Sequence, residues 1–258
     1  MRIASKLGLQ DIHYEPDIKL FWNMASPTAR AVRSLLLAGG VNHEAVHLDI
    51  FRGEHKSPRY LAVNPAGTVP CITVNGKPMS GSASILRYLA RKFKSLNHLY
   101  SENLVTAQAV DAALDFCGTS LSPILDDQIA PSLEPQDEAA KAKIAGAAAQ
   151  EEGVLSKWEK RHQEGGNLYA VGNAPSIADY QLFCHVKGFD YLQKTLDAYP
   201  NIVRWHDAVS SLKGIKEVHD EWEKAVLPVV VSKTEKHKTD TKSMDAQDRK
   251  QAALDYHN

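Results

Sequence analysis

The chain has 258 residues, a formal net charge of −1 and 43% hydrophobic residues, enough for one large core or two moderate ones. Charges of both signs are mixed along most of it, which excludes an electrostatic footprint for nucleic acid, and no apolar run is long enough to cross a bilayer. Three cysteines, Cys71, Cys117 and Cys184, stand far apart and odd in number. That excludes a disulfide framework or a CxxC metal spacing and points to a soluble, reducing, cytoplasmic setting.

The opening stretch MRIASKLGLQDIHYEPD lacks the apolar core and the small-residue cleavage site of a secretory signal. Arg2 and Lys6 with Leu7 and Leu9 hint at a transit peptide, and Asp11, Glu15 and Asp17 argue against one. From Ile18 the elements follow in quick succession. Ile18–Trp22 reads as a strand and Pro27–Gly39 as a helix with Val32, Leu35 and Leu36 on one stripe. Ala45–Ile50 reads as a second strand, and Cys71–Val74 as a third. Asn75-Gly76 signals a hairpin turn into a short return strand at Lys77–Met79, and Ser82–Phe93 carries Ile85, Leu86 and Leu89 at helical spacing. Strands interleaved with helices need at least one parallel pairing with a crossover, so a small mixed sheet covered by helices is expected.

After the polar stretch Ser95–Asn103 the pattern is helical almost throughout. A helix is expected over Leu104–Leu121 and an Ala-rich one over Glu138–His162, with Ile144, Ala148, Leu155 and Trp158 on one face. Ser176 with Asp179 three residues on is a capping-box variant opening a helix through Val186. Tyr199-Pro200-Asn201 breaks the chain before a further helix through Leu212. Beyond about Ser232 the text is charged and poor in large apolar residues, too little to offset the entropy of ordering by itself.

Three short stretches carry chemistry. Ser26 precedes Pro27 at the start of the first helix, an N-cap with proline at N1, where its missing N–H costs nothing. Val63-Asn64-Pro65-Ala66-Gly67-Thr68-Val69-Pro70 leads into the third strand. Residue chemistry alone favours an ordinary turn there. The sharper alternative is a cis Val69-Pro70 bond that turns the Val69 N–H and C=O outward for an extended peptide. Gly81-Ser82 opens the next helix, whose unpaired N–H groups and dipole suit a carboxylate as well as a cap. His43, His47 and His55 lack a matching carboxylate or cysteine set, so no metal site is expected.

With Asn64-Pro65…Val69-Pro70, Ser82…Ile85-Leu86-Arg87-Tyr88-Leu89 and Ser176-Ile177-Ala178-Asp179 taken together, the chain resembles the cytosolic glutathione S-transferases from about Ile18 to Trp222. Gly53-Glu54-His55 followed by Asn64-Pro65 is similar to the serine-type, theta-like members. The resemblance implies an α/β plus all-α fold: a thioredoxin-like glutathione-binding domain at 17–94, an all-helical domain at 104–226, and a charged extension at 227–258. It implies glutathione as co-substrate, a small electrophile and a homodimer. Ser26, four residues before Arg30, would activate the glutathione thiol. His55 would contact the glycyl end, Val69, between Thr68 and Pro70, the cysteinyl backbone, and Ser82 the γ-glutamyl carboxylate. Gly81 stands where the family usually has Glu or Gln, and Thr68 where theta-like members often have lysine.

The apolar-substrate pocket is expected between the domains on Leu104–Leu121, with Phe116 as a candidate wall. No cysteine stands at Ser26-Pro27-Thr28-Ala29, which disfavours disulfide redox chemistry and cysteine-type transferases. The absent Ser-Ser-Cys signature disfavours a zeta-like isomerase. The alternative reading, prompted by Gly81, Thr68 and the extension, is a transferase-like structural subunit of a larger assembly.

Overall fold

The computed structural model describes residues 16–133 and 137–235, so the transit-peptide reading and the extension beyond 235 lie outside the described residues. Strand β1 (Ile18–Trp22) buries Ile18, Leu20 and Trp22 and turns its alternate residues outward, the period-2 pattern of a half-buried strand. Helix α1 (Pro27–Ala38) returns the chain to β2 (Glu44–His47), which pairs parallel to β1. A short turn at Glu54–Lys56 and helix α2 (Pro58–Leu61) lead to the hairpin β3 (Cys71–Val74) and β4 (Lys77–Ser80). The sheet order is β2-β1-β3-β4, with β1–β3 and β3–β4 antiparallel. Asn75 and Gly76 both have positive φ, as a tight hairpin turn requires. Helix α3 (Ser82–Lys92) closes the first domain.

The second strand is shorter than Ala45–Ile50. The Leu48 N–H still bonds Trp22 O, but Asp49 Oδ1 then accepts the Phe51 and Arg52 N–H groups and turns the chain off the sheet. The helical part follows as α4 (Leu104–Phe116), α5 (Ser122–Ser132), α6 (Glu138–Gly165), α7 (Ile177–Val186), α8 (Gly188–Tyr191), α9 (Pro200–Ser210) and α10 (Ile215–Ala225). The helix expected to end at Leu121 does not stop there. Between α4 and α5 lies one wider turn, Cys117–Leu121, in which Ser122 N bonds Cys117 O five residues back. Pro123 supplies the reason: it has no N–H for the Thr119 carbonyl, and its ring would crowd that oxygen.

Helix α7 is the centre of the helical part, buried along its whole length and packed on α1, α3 and α4. Its capping box is complete. Asp179 accepts Ser176 N and Oγ with one oxygen, and Ala170 N and Trp205 Nε1 with the other. Residues 227–235, the first part of the charged extension, form α11 and bury Val230 in the shared core.

Candidate active site at the N-terminus of the first helix

Ser26 sits at the mouth of α1 with extended backbone (φ −78°, ψ 118°), and its Oγ accepts the Ala29 N–H at 3.4 Å. That distance is long for a hydrogen bond, so the hydroxyl is only loosely committed to capping. Its closer partner is the Thr28 hydroxyl at 3.0 Å, and Thr28 Oγ1 in turn donates to Val69 O at 3.4 Å. A hydroxyl carries one proton. With the Thr28 proton directed at Val69, the Ser26 proton is the one shared between the two, and it can rotate toward an incoming acceptor. Thr28 did not stand out in the sequence. Its only local signal is a hydroxyl two residues past an N-cap, and the partner that gives it meaning is 41 residues away.

The Val69-Pro70 bond is cis. Residue chemistry favoured an ordinary turn because nothing local distinguishes the isomers; the surrounding loop fixes it. Buried Asn64 donates to Thr68 O at 2.8 Å, the Tyr60 hydroxyl donates to the same oxygen at 2.6 Å, and Lys56 Nζ donates to Gly67 O at 2.8 Å. Burial pushes the Tyr60 phenol up to about 12, so it remains a donor. Gly67 has φ +57°, and a Cβ there would lie 3.0 Å from His55 O, so the loop presses against the His55 turn. His55 is half-buried, with its Nδ1 sealed from solvent and unpartnered. Thr68 is exposed and Pro70 is buried, while Val69 is half-buried and its N–H has no partner among the described residues.

The β3–β4 register sets Ser80 opposite Cys71. Gly81 and Ser82 therefore leave the sheet at the edge where Pro70 enters it. Gly81 has φ +86°, a conformation that favours glycine, and no side chain caps α3. The first N–H groups of this helix are open to a carboxylate. Ser26, Thr28 and Val69 are thus joined directly, His55 is tied to the same loop through Lys56 and Gly67, and Ser82 is placed by strand register. Each of the three cysteines is buried, and burial raises every one of their thiols, so none is poised as a nucleophile.

The family model for the glutathione S-transferase N-terminal domain matches residues 25–92, and that for the glutathione S-transferase C-terminal domain matches residues 125–221, together more than half of the chain. The chain belongs to the glutathione S-transferase superfamily. Glutathione S-transferase F9 of Arabidopsis thaliana is 29% identical over 212 residues, 76% of this chain and 92% of its own length. A delta-class glutathione transferase of Nilaparvata lugens superposes with a TM-score of 0.71 at 24% identity, covering 84% of this chain and 99% of its own. Ure2p in complex with glutathione superposes with a TM-score of 0.72 at 19% identity, covering 79% and 98%.

In this member of the superfamily, Arg30 is fully buried and ties the domains together. Its Nη1 donates to Met24 O at 2.9 Å and Ala25 O at 3.3 Å, its Nη2 donates to Cys184 O of α7 at 2.7 Å, and the guanidinium lies 4.7 Å from the centre of the Trp222 ring. The loop bearing Ser26 is thereby fixed to the helical core. Beside it opens a cavity of about 220 Å³ bounded by Ala25 and Pro27 on one side and by Leu125 and Ile129 of α5 and its C-cap Leu133 on the other. None of the residues that line this cavity comes from Leu104–Leu121, where the apolar pocket was expected. Phe116 instead packs 5.8 Å from Trp158 and lines a separate hollow within the helical domain.

Proposed function

We propose that the chain is a serine-type glutathione transferase that joins the glutathione sulfur to an electrophilic carbon of a small apolar substrate. The observation that carries this reading is the Ser26–Thr28–Val69 chain of hydroxyls and backbone at the start of α1. It brings a donor, a helix N-terminus and an unpaired backbone N–H together at the start of α1. A thiol with a pKa of about 8.5 is mostly protonated at neutral pH, and the thiolate is the nucleophile. Donation from Ser26 Oγ and the positive end of α1 favour the anion and lower that pKa. The sulfur then forms its bond to carbon as the leaving group departs with its electron pair. Ser26 stays uncharged and forms no covalent bond.

In this reading Val69 pairs with the cysteinyl backbone, the open N-terminus of α3 with Ser82 receives the γ-glutamyl carboxylate, and His55 faces the glycyl end. The glutathione held by Ure2p on the same fold supports the choice of co-substrate. Gly81 and Thr68 each forgo a charge-assisted bond, worth about 1.5–3 kcal/mol or roughly ten- to a hundredfold in affinity. Glutathione affinity is therefore weaker than in members that keep both side chains. The homodimeric state belongs to the same proposal and is checked by sedimentation.

Calorimetric titration with glutathione and turnover of an activated aryl halide test the reading. Ser26→Ala should fold, since cap loss costs about 1 kcal/mol. It should also lower kcat/KM about a hundredfold and move its pH midpoint toward alkali. Absence of both binding at millimolar glutathione and turnover would end the proposal.

A further inference from the structure

The cavity beside Ser26 has an apolar body and a polar inner end. Ile50, Phe51, Leu125, Ile129, Leu133 and Val230 form most of its wall, and His185 and Tyr191 stand at the side built by α7 and α8. His185 is only 2% exposed. Its Nδ1 lies 2.7 Å from Gln181 O, one helical turn back. A carbonyl can only accept, so Nδ1 carries the proton and Nε2 carries the lone pair. Nε2 has no protein partner among the described residues, yet it is not among the sealed polar atoms. Since the ring is otherwise covered, that remaining surface opens on the cavity. Burial, with Arg30 nearby, holds the imidazole below its ordinary pKa, which keeps it neutral.

The other polar groups fix what this end can receive. Arg30 commits three of its four Nη N–H groups to carbonyls and bonds the Tyr191 phenol as well, and its Nε is sealed, so little of the cation is left to hold an anion. At the rim Asp126 is a further acceptor, already bonded to Ser122 Oγ through one oxygen. Tyr191 Oη accepts Trp222 Nε1 at 2.5 Å, and no described residue takes its own proton. A buried acceptor without a partner is costly. A group that donates to His185 and can accept from Tyr191 matches both needs, and a hydroxyl does this. The volume of about 220 Å³ is below the ~300 Å³ at which drug-sized pockets begin, so it suits a small ligand such as a single ring.

We propose that this cavity selects a small, single-ring electrophile bearing a hydroxyl on the end remote from its reactive carbon, with the hydroxyl proton received by His185 Nε2. This rests on the transferase reading for the reactive end, while recognition of the hydroxyl depends on the cavity alone. The test uses the full chain without glutathione, titrated calorimetrically with 4-ethylphenol, its methyl ether 4-ethylanisole, and ethylbenzene. The phenol should bind about three- to tenfold more tightly than the ether, the effect of one net hydrogen bond. His185→Phe, which keeps a ring in place, should abolish the preference while the ether still binds. On ¹⁵N-histidine-labelled wild-type protein, the His185 Nε2 resonance should shift with the phenol and not with the ether, a readout that needs no folded variant.

Equal affinity for phenol and ether, no binding of any of the three, or a preference that survives in His185→Phe would overturn the proposal. A parallel glutathione titration separates the two readings. Glutathione binding without phenol preference removes only the hydroxyl proposal. Phenol preference without glutathione binding removes only the transferase reading.

Discussion

Gly214 brings the helical domain tightly against the backbone of the helix that Ser26 caps. It precedes α10 with φ +81° and ψ −39°, its N–H bonded to Glu217. A Cβ added there would lie 1.9 Å from Ser34 O and 2.9 Å from Ala38 N, both backbone atoms of α1. Ser34 and Ala38 bracket one turn of that helix, so neither can move without disturbing an intrahelical bond. Two costs therefore add in Gly214→Ala. A left-handed conformation with a Cβ costs about 1–2 kcal/mol, and forced overlap in a packed interface about 1–3 kcal/mol. The sum, about 2–5 kcal/mol, is a large share of a typical stability of about 5–15 kcal/mol. Urea unfolding followed by tryptophan fluorescence should show the midpoint falling accordingly. Glutathione affinity should fall with it, because α1 must shift. The control is Gly153→Ala in α6, where a Cβ meets nothing within 4 Å and removal of a helical glycine should stabilise by up to about 1 kcal/mol. If Gly214→Ala costs less than about 0.5 kcal/mol, the size of an ordinary surface change, the close approach to α1 has been misjudged.

Gly81→Glu restores a carboxylate at the start of α3, where the nearest obstacle to a Cβ is Ser84 Oγ at 3.8 Å. Glutathione should bind about tenfold more tightly by calorimetry, while φ +86° costs about 1 kcal/mol of stability in the melt. Asp179→Asn replaces an acceptor of four bonds with a group that must present two donors. Thermal unfolding should reveal a loss of about 2–4 kcal/mol. The pH dependence follows from His219, which burial and then Arg30 push down to about 3. The unfolded imidazole takes up its proton near 6.5 and the folded one does not, so stability is fully present above pH 6.5. It should fall by up to about 1.4 kcal/mol per unit as the pH drops toward 3. His162, His185 and His206 are lowered in the same sense. Urea midpoints at pH 8 and pH 5 should show the drop, and His219→Gln should reduce it, leaving the share of the other three histidines.

The sequence by itself determined the elements whose signals lie within a few residues of one another. Ser26-Pro27 opens α1, Asn75-Gly76 turns the hairpin, and Ser176 with Asp179 caps α7, because caps and turns are made by neighbours in the chain. Ser26 was legible as the cap of α1 for the same reason, and its spacing to Arg30 carried the resemblance that makes it a candidate. Tertiary structure decided what depends on contacts between distant residues. Tyr60 and Asn64 brace the loop that holds Val69-Pro70 cis, and the Thr28 hydroxyl finds Val69 across 41 positions. Arg30 is buried because it meets the α7 carbonyl at Cys184, 154 residues on. The cavity lies against α5 and has His185 in its wall, which only the folded backbone could settle. Helical periodicity sets which residues share a face. It does not set which face, many turns and a domain away, that one meets.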